Sequence, residues 1–192
     1  MQPSETAMRL SATTLSAALI AAIAAAPAAR AEAPDLTGHW TSAAPEAQGK
    51  IFVLRDFTFK DNSWGVVYRA FGDADAKQPL FTLDVGGVFV IGGPSVKVPG
   101  AFDGVFPALH RKIIAESPAG VGMFAQMGCV LELKVVKSLV AEGCGFMPPL
   151  MQAMGEYDLV AIKDGQFFFG ERSGDLTKAR PIALYPFPLV KR

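Results

Sequence analysis

The sequence predicts an all-β fold, an antiparallel β-barrel with one or two short helices, and three observations predict it. Residues 50–71 alternate in polarity on both sides of a polar turn, Lys60-Asp61-Asn62-Ser63, the mark of a two-faced hairpin. Short apolar runs divided by turn residues recur along the rest of the chain without βαβ alternation. No long amphipathic helix is written anywhere after the first residues.

The chain opens on what reads as a leader. Residues 1–9 are weakly basic, residues 10–26 are an apolar Ala/Leu/Ile run, and Ala29-Arg30-Ala31 is an Ala-x-Ala cleavage signal. The apolar run is shorter than the roughly 20 residues that span a bilayer. The expectation is a secretory signal peptide over residues 1–31 and one barrel domain over residues 32–192, exported to the periplasm or secreted, with no transmembrane span after processing.

Composition narrows the function. Eighteen Lys and Arg balance eighteen Asp and Glu with no basic patch, which argues against a nucleic-acid partner. Cys129 and Cys144 both fall in the exported part, where an even pair favours a disulfide over a reactive or metal-binding thiol pair. Neither belongs to a Cys-x-x-Cys motif.

The first strand begins at Leu36-Thr37-Gly38-His39-Trp40. Pairing across the Asp61-Asn62 tip of the first hairpin sets Phe59 opposite Trp64, Phe57 opposite Val66, Arg55 opposite Tyr68 and Val53 opposite Ala70. One face is therefore almost wholly apolar. A second hairpin is predicted over residues 81–92, turning at Gly86-Gly87, with Phe81, Leu83, Val85, Val88 and Val90 on its apolar face. Residues 108–116 and 130–140 supply enough Leu, Ile and Val for further strands, with imperfect alternation. Ser117-Pro118 and Pro148-Pro149 each introduce a short helix. A third hairpin over residues 157–172 turns at Asp164-Gly165, with Val160, Ile162, Phe167 and Phe169 on one face and Tyr157, Leu159, Ala161 and Phe168 on the other; either face suits the interior. Pro181, Pro186 and Pro188 confine the last run to an edge strand or an extended tail.

Gly38-x-Trp40 at the first strand is how lipocalin-type calycin barrels begin. Together with Glu46, Phe52-Val53-Leu54-Arg55, Phe57-Thr58-Phe59, Pro79, Phe81-Thr82, Glu156-Tyr157-Asp158-Leu159-Val160 and Arg180-Pro181, it resembles the adenomatosis polyposis coli down-regulated family. The resemblance implies a calycin-type barrel. It also implies an apolar or acyl-bearing ligand, since the animal members are Wnt antagonists that look like binders of lipid acyl groups. The leader and compact length suggest a bacterial, single-barrel relative, to which the Wnt role does not carry over. Animal members have two barrels per chain, so a homodimer is conceivable by analogy. Pro45, Ala76 and Met154 stand where the family has cysteines, which would leave Cys129–Cys144 as the remaining bridge.

The resemblance makes Gly38 and Trp40 structural, with Trp40 at the barrel floor under a cation from Arg180 or Arg172. Arg55 falls in phase with the apolar face, where a lone guanidinium is costly. It either reaches water at the rim, meets an internal acid such as Glu46, Asp158 or Glu171, or anchors a ligand carboxylate with help from Tyr68. Phe57, Phe59, Val66, Tyr68, Phe81, Leu83 and Phe168 line the interior, whether that interior is a ligand cavity or a filled core. Met123, Met127, Met147, Met151 and Met154 suit Cu(I) chemically, but their helix-face spacings favour packing, and no metal or cofactor is expected. His39 and His110 lack any nucleophile or zinc context, and no catalytic motif occurs. The sequence thus favours a non-enzymatic binding protein holding a small hydrophobic ligand, such as a fatty acid or acyl group. The alternatives are a filled-barrel interaction module and a small calycin-type isomerase.

Overall fold

A computed structural model describes residues 32–192; the expected signal peptide lies outside the described residues. Eleven strands form in chain order: β1 (Gly38–Ser42), β2 (Glu46–Gln48), β3 (Ile51–Lys60), β4 (Ser63–Phe71), β5 (Pro79–Val88), β6 (Val90–Pro94), β7 (Phe102–Ala115), β8 (Val136–Ser138), β9 (Gly155–Lys163), β10 (Gln166–Phe169) and β11 (Leu189–Lys191). One helix, α1 (Pro118–Gln126), and a 3₁₀ turn at Leu150–Gln152 complete the regular elements among the described residues. Neighbouring strands run β1-β11-β10-β9-β7-β5-β4-β3, and β1 returns to pair with β3, closing an eight-strand antiparallel barrel. Closure removes the exposed edges that an open sheet would present. No helix among the described residues is long and apolar enough to cross a membrane.

The β3–β4 hairpin has the register expected from its alternation, with Arg55 opposite Tyr68 and Phe57 opposite Val66. Asp61 takes the positive φ of 53° at its tip. Asp164 and Gly165 likewise turn with φ of 52° and 74°, as a two-residue hairpin requires. β1 and β2 share one side of β3, interrupted around Pro45, which has no N–H to give. Ser42 bridges this break: its hydroxyl accepts from the Arg55 backbone N at 2.9 Å.

Gly86 and Gly87 do not turn. Both lie within β5, opposite Gly65 and Trp64 on one side and His110 and Ala108 on the other. The second expected hairpin is replaced by a near-continuous β5–β6 run along β7, and Val88 and Val90 become exposed. The glycines answer to close approach: a Cβ on Gly87 would sit 2.1 Å from the Pro107 carbonyl oxygen and 2.9 Å from Ala108 Cα. At that point β7 carries a bulge, with Leu109 skipped between the pairs Gly86↔His110 and Gly87↔Ala108. The extra residue shifts the inward phase of β7 from Phe102, Phe106 and Ala108 to Arg111, Ile113 and Ala115. This explains the imperfect alternation of the segment.

Of residues 130–140 only Val136–Ser138 forms a strand, on the outer part of β7, while Leu131 and Leu139 are buried around it. α1 starts at Ser117, whose hydroxyl caps Gly120 N, and drives Phe124 onto Phe81. Cys129 and Cys144 are disulfide-bonded and belong to the same core. That core fills one end of the barrel, and an aromatic cluster around Trp40, Phe59 and Phe167 fills the other. β11 is not an edge: it lies between β1 and β10, after the last of the three prolines.

Trp40 is buried, donates Nε1–H to the Leu36 carbonyl at 2.7 Å, and packs edge-on to Phe167. The cation over its ring is Lys191, with Nζ 5.3 Å from the centroid, rather than Arg180 or Arg172. β11 brings Lys191 directly opposite Trp40. Arg180 instead lies over Tyr157 and pairs with Asp103, and Arg172 is bound to Glu156 and Asp158.

Candidate ligand-binding cavity

Between the two filled ends, side chains of seven strands surround a cavity of about 490 Å³. Its apolar wall is Phe57 from β3, Trp64 and Val66 from β4, Leu83 and Val85 from β5, Phe106 and Ala108 from β7, and Phe169 from β10. The β7–β9 ladder ends at Pro107↔Gly155. Beyond it, chain from the segment between β8 and β9 lies against β7, with Ala108 N donating to the Met154 carbonyl and Leu139 N to the Arg111 carbonyl. The cavity reaches the surface on this side, past the exposed Phe146 and Met154. A shallower depression of about 500 Å³ over the disulfide loop carries no charged side chain.

Three arginines touch the cavity, and their partners differ. Arg55 Nε meets both Glu46 carboxylate oxygens at 3.0 Å, and its Nη2 meets Glu46 Oε1 at 2.9 Å and the Phe187 carbonyl at 2.6 Å. The ring of Tyr185 lies 5.0 Å from the guanidinium carbon. Glu46 is buried too and accepts from the Ser42 hydroxyl at 2.6 Å. The β2–β3 pairing of Glu46 with Val53, two residues from Arg55, sets this contact. Of the roles open to Arg55 in the sequence, pairing with Glu46 is the one its geometry fulfils.

Tyr68 does not reach toward a head group beside Arg55; its hydroxyl donates to Gln48 Oε1 at 2.7 Å, and Gln48 Nε2 donates to the Tyr185 hydroxyl at 2.9 Å. Burial pushes the Tyr68 phenol above its ordinary value, so it stays a neutral donor.

Arg172 Nη1 binds Asp158 Oδ2 at 2.7 Å, and its Nη2 binds Glu156. Asp158 Oδ1 accepts from Leu159 N at 2.7 Å and Gly170 N at 2.8 Å. Burial pushes the Asp158 carboxyl up to about 6, against the opposing pull of Arg172 and the two amides. Arg111 is 9% exposed, and the one hydrogen bond of its guanidinium runs from Nη1 to the Pro148 carbonyl at 3.2 Å. Burial lowers its pKa, with Glu156 opposing.

Among the side chains named from sequence, Arg55, Phe57, Val66, Tyr68 and Leu83 border the cavity. Phe59 and Phe81 are buried in the two end clusters instead. Phe168 is on the opposite face of β10 from Phe167 and Phe169, packed outside the barrel with Leu159, Ala161 and Leu184. The unresolved choice of inward face for β10 is thereby decided against Phe168. Arg111 and Phe106 were not legible as cavity residues, since the β7 bulge hides the phase of Arg111, and Asp158 and Arg172 were named only as partners for Arg55 and Trp40. Met123 and Met147 pack on the core beneath α1, whereas Met151 and Met154 are exposed.

A sequence model described as Adenomatosis polyposis coli down-regulated 1 matches residues 18–129, more than half of the chain. The chain belongs to this family. The match takes in β1 to β7 and α1, and with them Arg55, Arg111 and the apolar wall residues except Phe169, while the lining from Phe146 to Tyr185 lies beyond it. Glu156 to Val160 and Arg180-Pro181 fall beyond it. No curated protein matches the chain.

Proposed function

We propose that this family member is a non-enzymatic binding protein that acts after export and holds a small hydrophobic or acyl-bearing ligand inside its barrel. The observation that carries the proposal is the cavity: about 490 Å³, within the roughly 300–1,000 Å³ of small-molecule sites, with aromatic and aliphatic walls. Each methylene of a chain buried there contributes about 0.8 kcal/mol. A barrel kept only as a filled module would gain stability from larger side chains at Ala108 or Val66, because interior voids are costly. For an isomerase, the cavity offers no free acid–base pair among the described residues: its acids Glu156 and Asp158 are held by Arg172 and Asp175 by Lys178, and His39 and His110 lie away from it. The Cys129–Cys144 bond suits an oxidising compartment.

Native mass spectrometry of the purified protein, with organic extraction of whatever mass is released, tests the proposal. The expected result is a co-purifying amphiphile, lost in a Val66→Trp variant that keeps its β circular dichroism but has the cavity plugged. Saturable binding of a long-chain alcohol that Val66→Trp leaves intact would refute cavity binding.

A further inference from the structure

We infer that the ligand carries an anionic head group, a carboxylate at the end of its apolar chain, and that Arg111 receives it. This rests on the cavity-binding reading above. The other two arginines at the cavity are committed, Arg55 to Glu46 and Arg172 to Asp158 and Glu156. Arg111 pairs with no carboxylate among the described residues, and Glu156, the acid whose charge it feels, is held by Arg172. An arginine buried as a residue, its guanidinium with one carbonyl for company, is an expensive arrangement.

Its remaining N–H groups have no protein partner, yet none of its unpartnered nitrogens is sealed from solvent; the one orphaned, sealed side-chain atom among the described residues is Asp103 Oδ1. Those donors therefore face the cavity that Arg111 lines. Two N–H groups of a planar fork match the two oxygens of one carboxylate, and a single positive charge matches its single negative one. The bond to the Pro148 carbonyl holds Arg111 beside the segment where the cavity reaches the surface. A chain entering tail-first would lay its apolar part on Phe57, Phe106 and Phe169 and leave its head at Arg111.

The test compares dodecanoate with dodecanol at pH 8, by displacement of an environment-sensitive dye from the full chain. The wild-type protein is expected to bind the acid about tenfold or more tightly than the alcohol, the range of a charge-assisted hydrogen bond. Arg111→Met should erase that preference by weakening the acid alone, whereas a merely structural loss would weaken both. Equal affinities in the wild-type protein overturn the inference without any variant, as does an Arg111→Met variant that keeps the preference. Binding of dodecanol alone overturns the anionic head while sparing the cavity reading. Binding of neither overturns both.

Discussion

Removing the Glu46 carboxylate isolates the energetic role of Arg55. In Glu46→Ala, Nε loses its partner and Nη2 keeps the Phe187 carbonyl, while Tyr185 still faces the guanidinium. Both side chains are almost fully buried, at 9% and 3% exposure, so the stranded cation is poorly hydrated. Breaking one partner of a buried pair costs about 3–5 kcal/mol. The Ser42 hydroxyl also loses its acceptor, although it still accepts from Arg55 N. With total stability of roughly 5–15 kcal/mol, this is a large part of the fold, equal to a fall of about 2 M in a urea midpoint. The double variant Arg55→Met with Glu46→Leu removes both charges at similar volume and is expected to lie within about 2 kcal/mol of wild type. Equilibrium urea unfolding followed by tryptophan fluorescence measures all three proteins. If Glu46→Ala costs under about 1 kcal/mol, the guanidinium is hydrated through the cavity and Arg55 is available to a ligand after all.

Three further outcomes follow from features of the fold. Gly87→Ala should cost more than about 2 kcal/mol, because the new Cβ meets the backbone of β7, whereas Gly93→Ala, with nothing within 4 Å, should be near neutral; equal melting temperatures would discredit the close approach. Replacing Cys129 and Cys144 together by Ser, across a separation of 15 residues, should cost about 3 kcal/mol and lower Tm by roughly 10 °C in a thermal melt; an unchanged Tm would mean the loop is held by packing alone. Asp158 should titrate near pH 6 by carboxyl-carbon NMR, and a midpoint below 4 would show that Arg172 and the two amides overcome burial. Because its folded pKa is raised, the native state holds the proton longer: the group's contribution is complete below the ordinary carboxyl value and falls by about 3 kcal/mol as pH rises to 6.

The parts of the fold that sequence made plain are those where local chemistry and tertiary demand agree. The β3–β4 register followed from alternation around Asp61-Asn62 because one face of the ribbon is buried and a one-residue slip would invert it. Gly86-Gly87 misled because two glycines signal a turn as readily as a tight strand contact, and only the partner strand distinguishes the two. The same partner hid Arg111, since period-two reading fails across a bulge. The choice of inward face on β10 needed the whole barrel, both faces being apolar. Trp40 was recognisable as structural, but its cation comes from the penultimate residue, Lys191, which nothing local connects to it.

The skipped residue at Leu109 separates the sequence spacing of β7 from the direction of its side chains without changing the cavity's charge. Leu109 is exposed and contributes little to the core; as the extra residue of the bulge it lets Ala108 and Arg111, three positions apart, both face inward. A chain lacking Leu109, with the strand ends still fixed by β5 and β9, would set Ala108 and the arginine two residues apart and leave the guanidinium facing the cavity by plain alternation. In this barrel, the charge facing the cavity therefore survives loss of the bulge residue, and it is substitution at Arg111 that would change it.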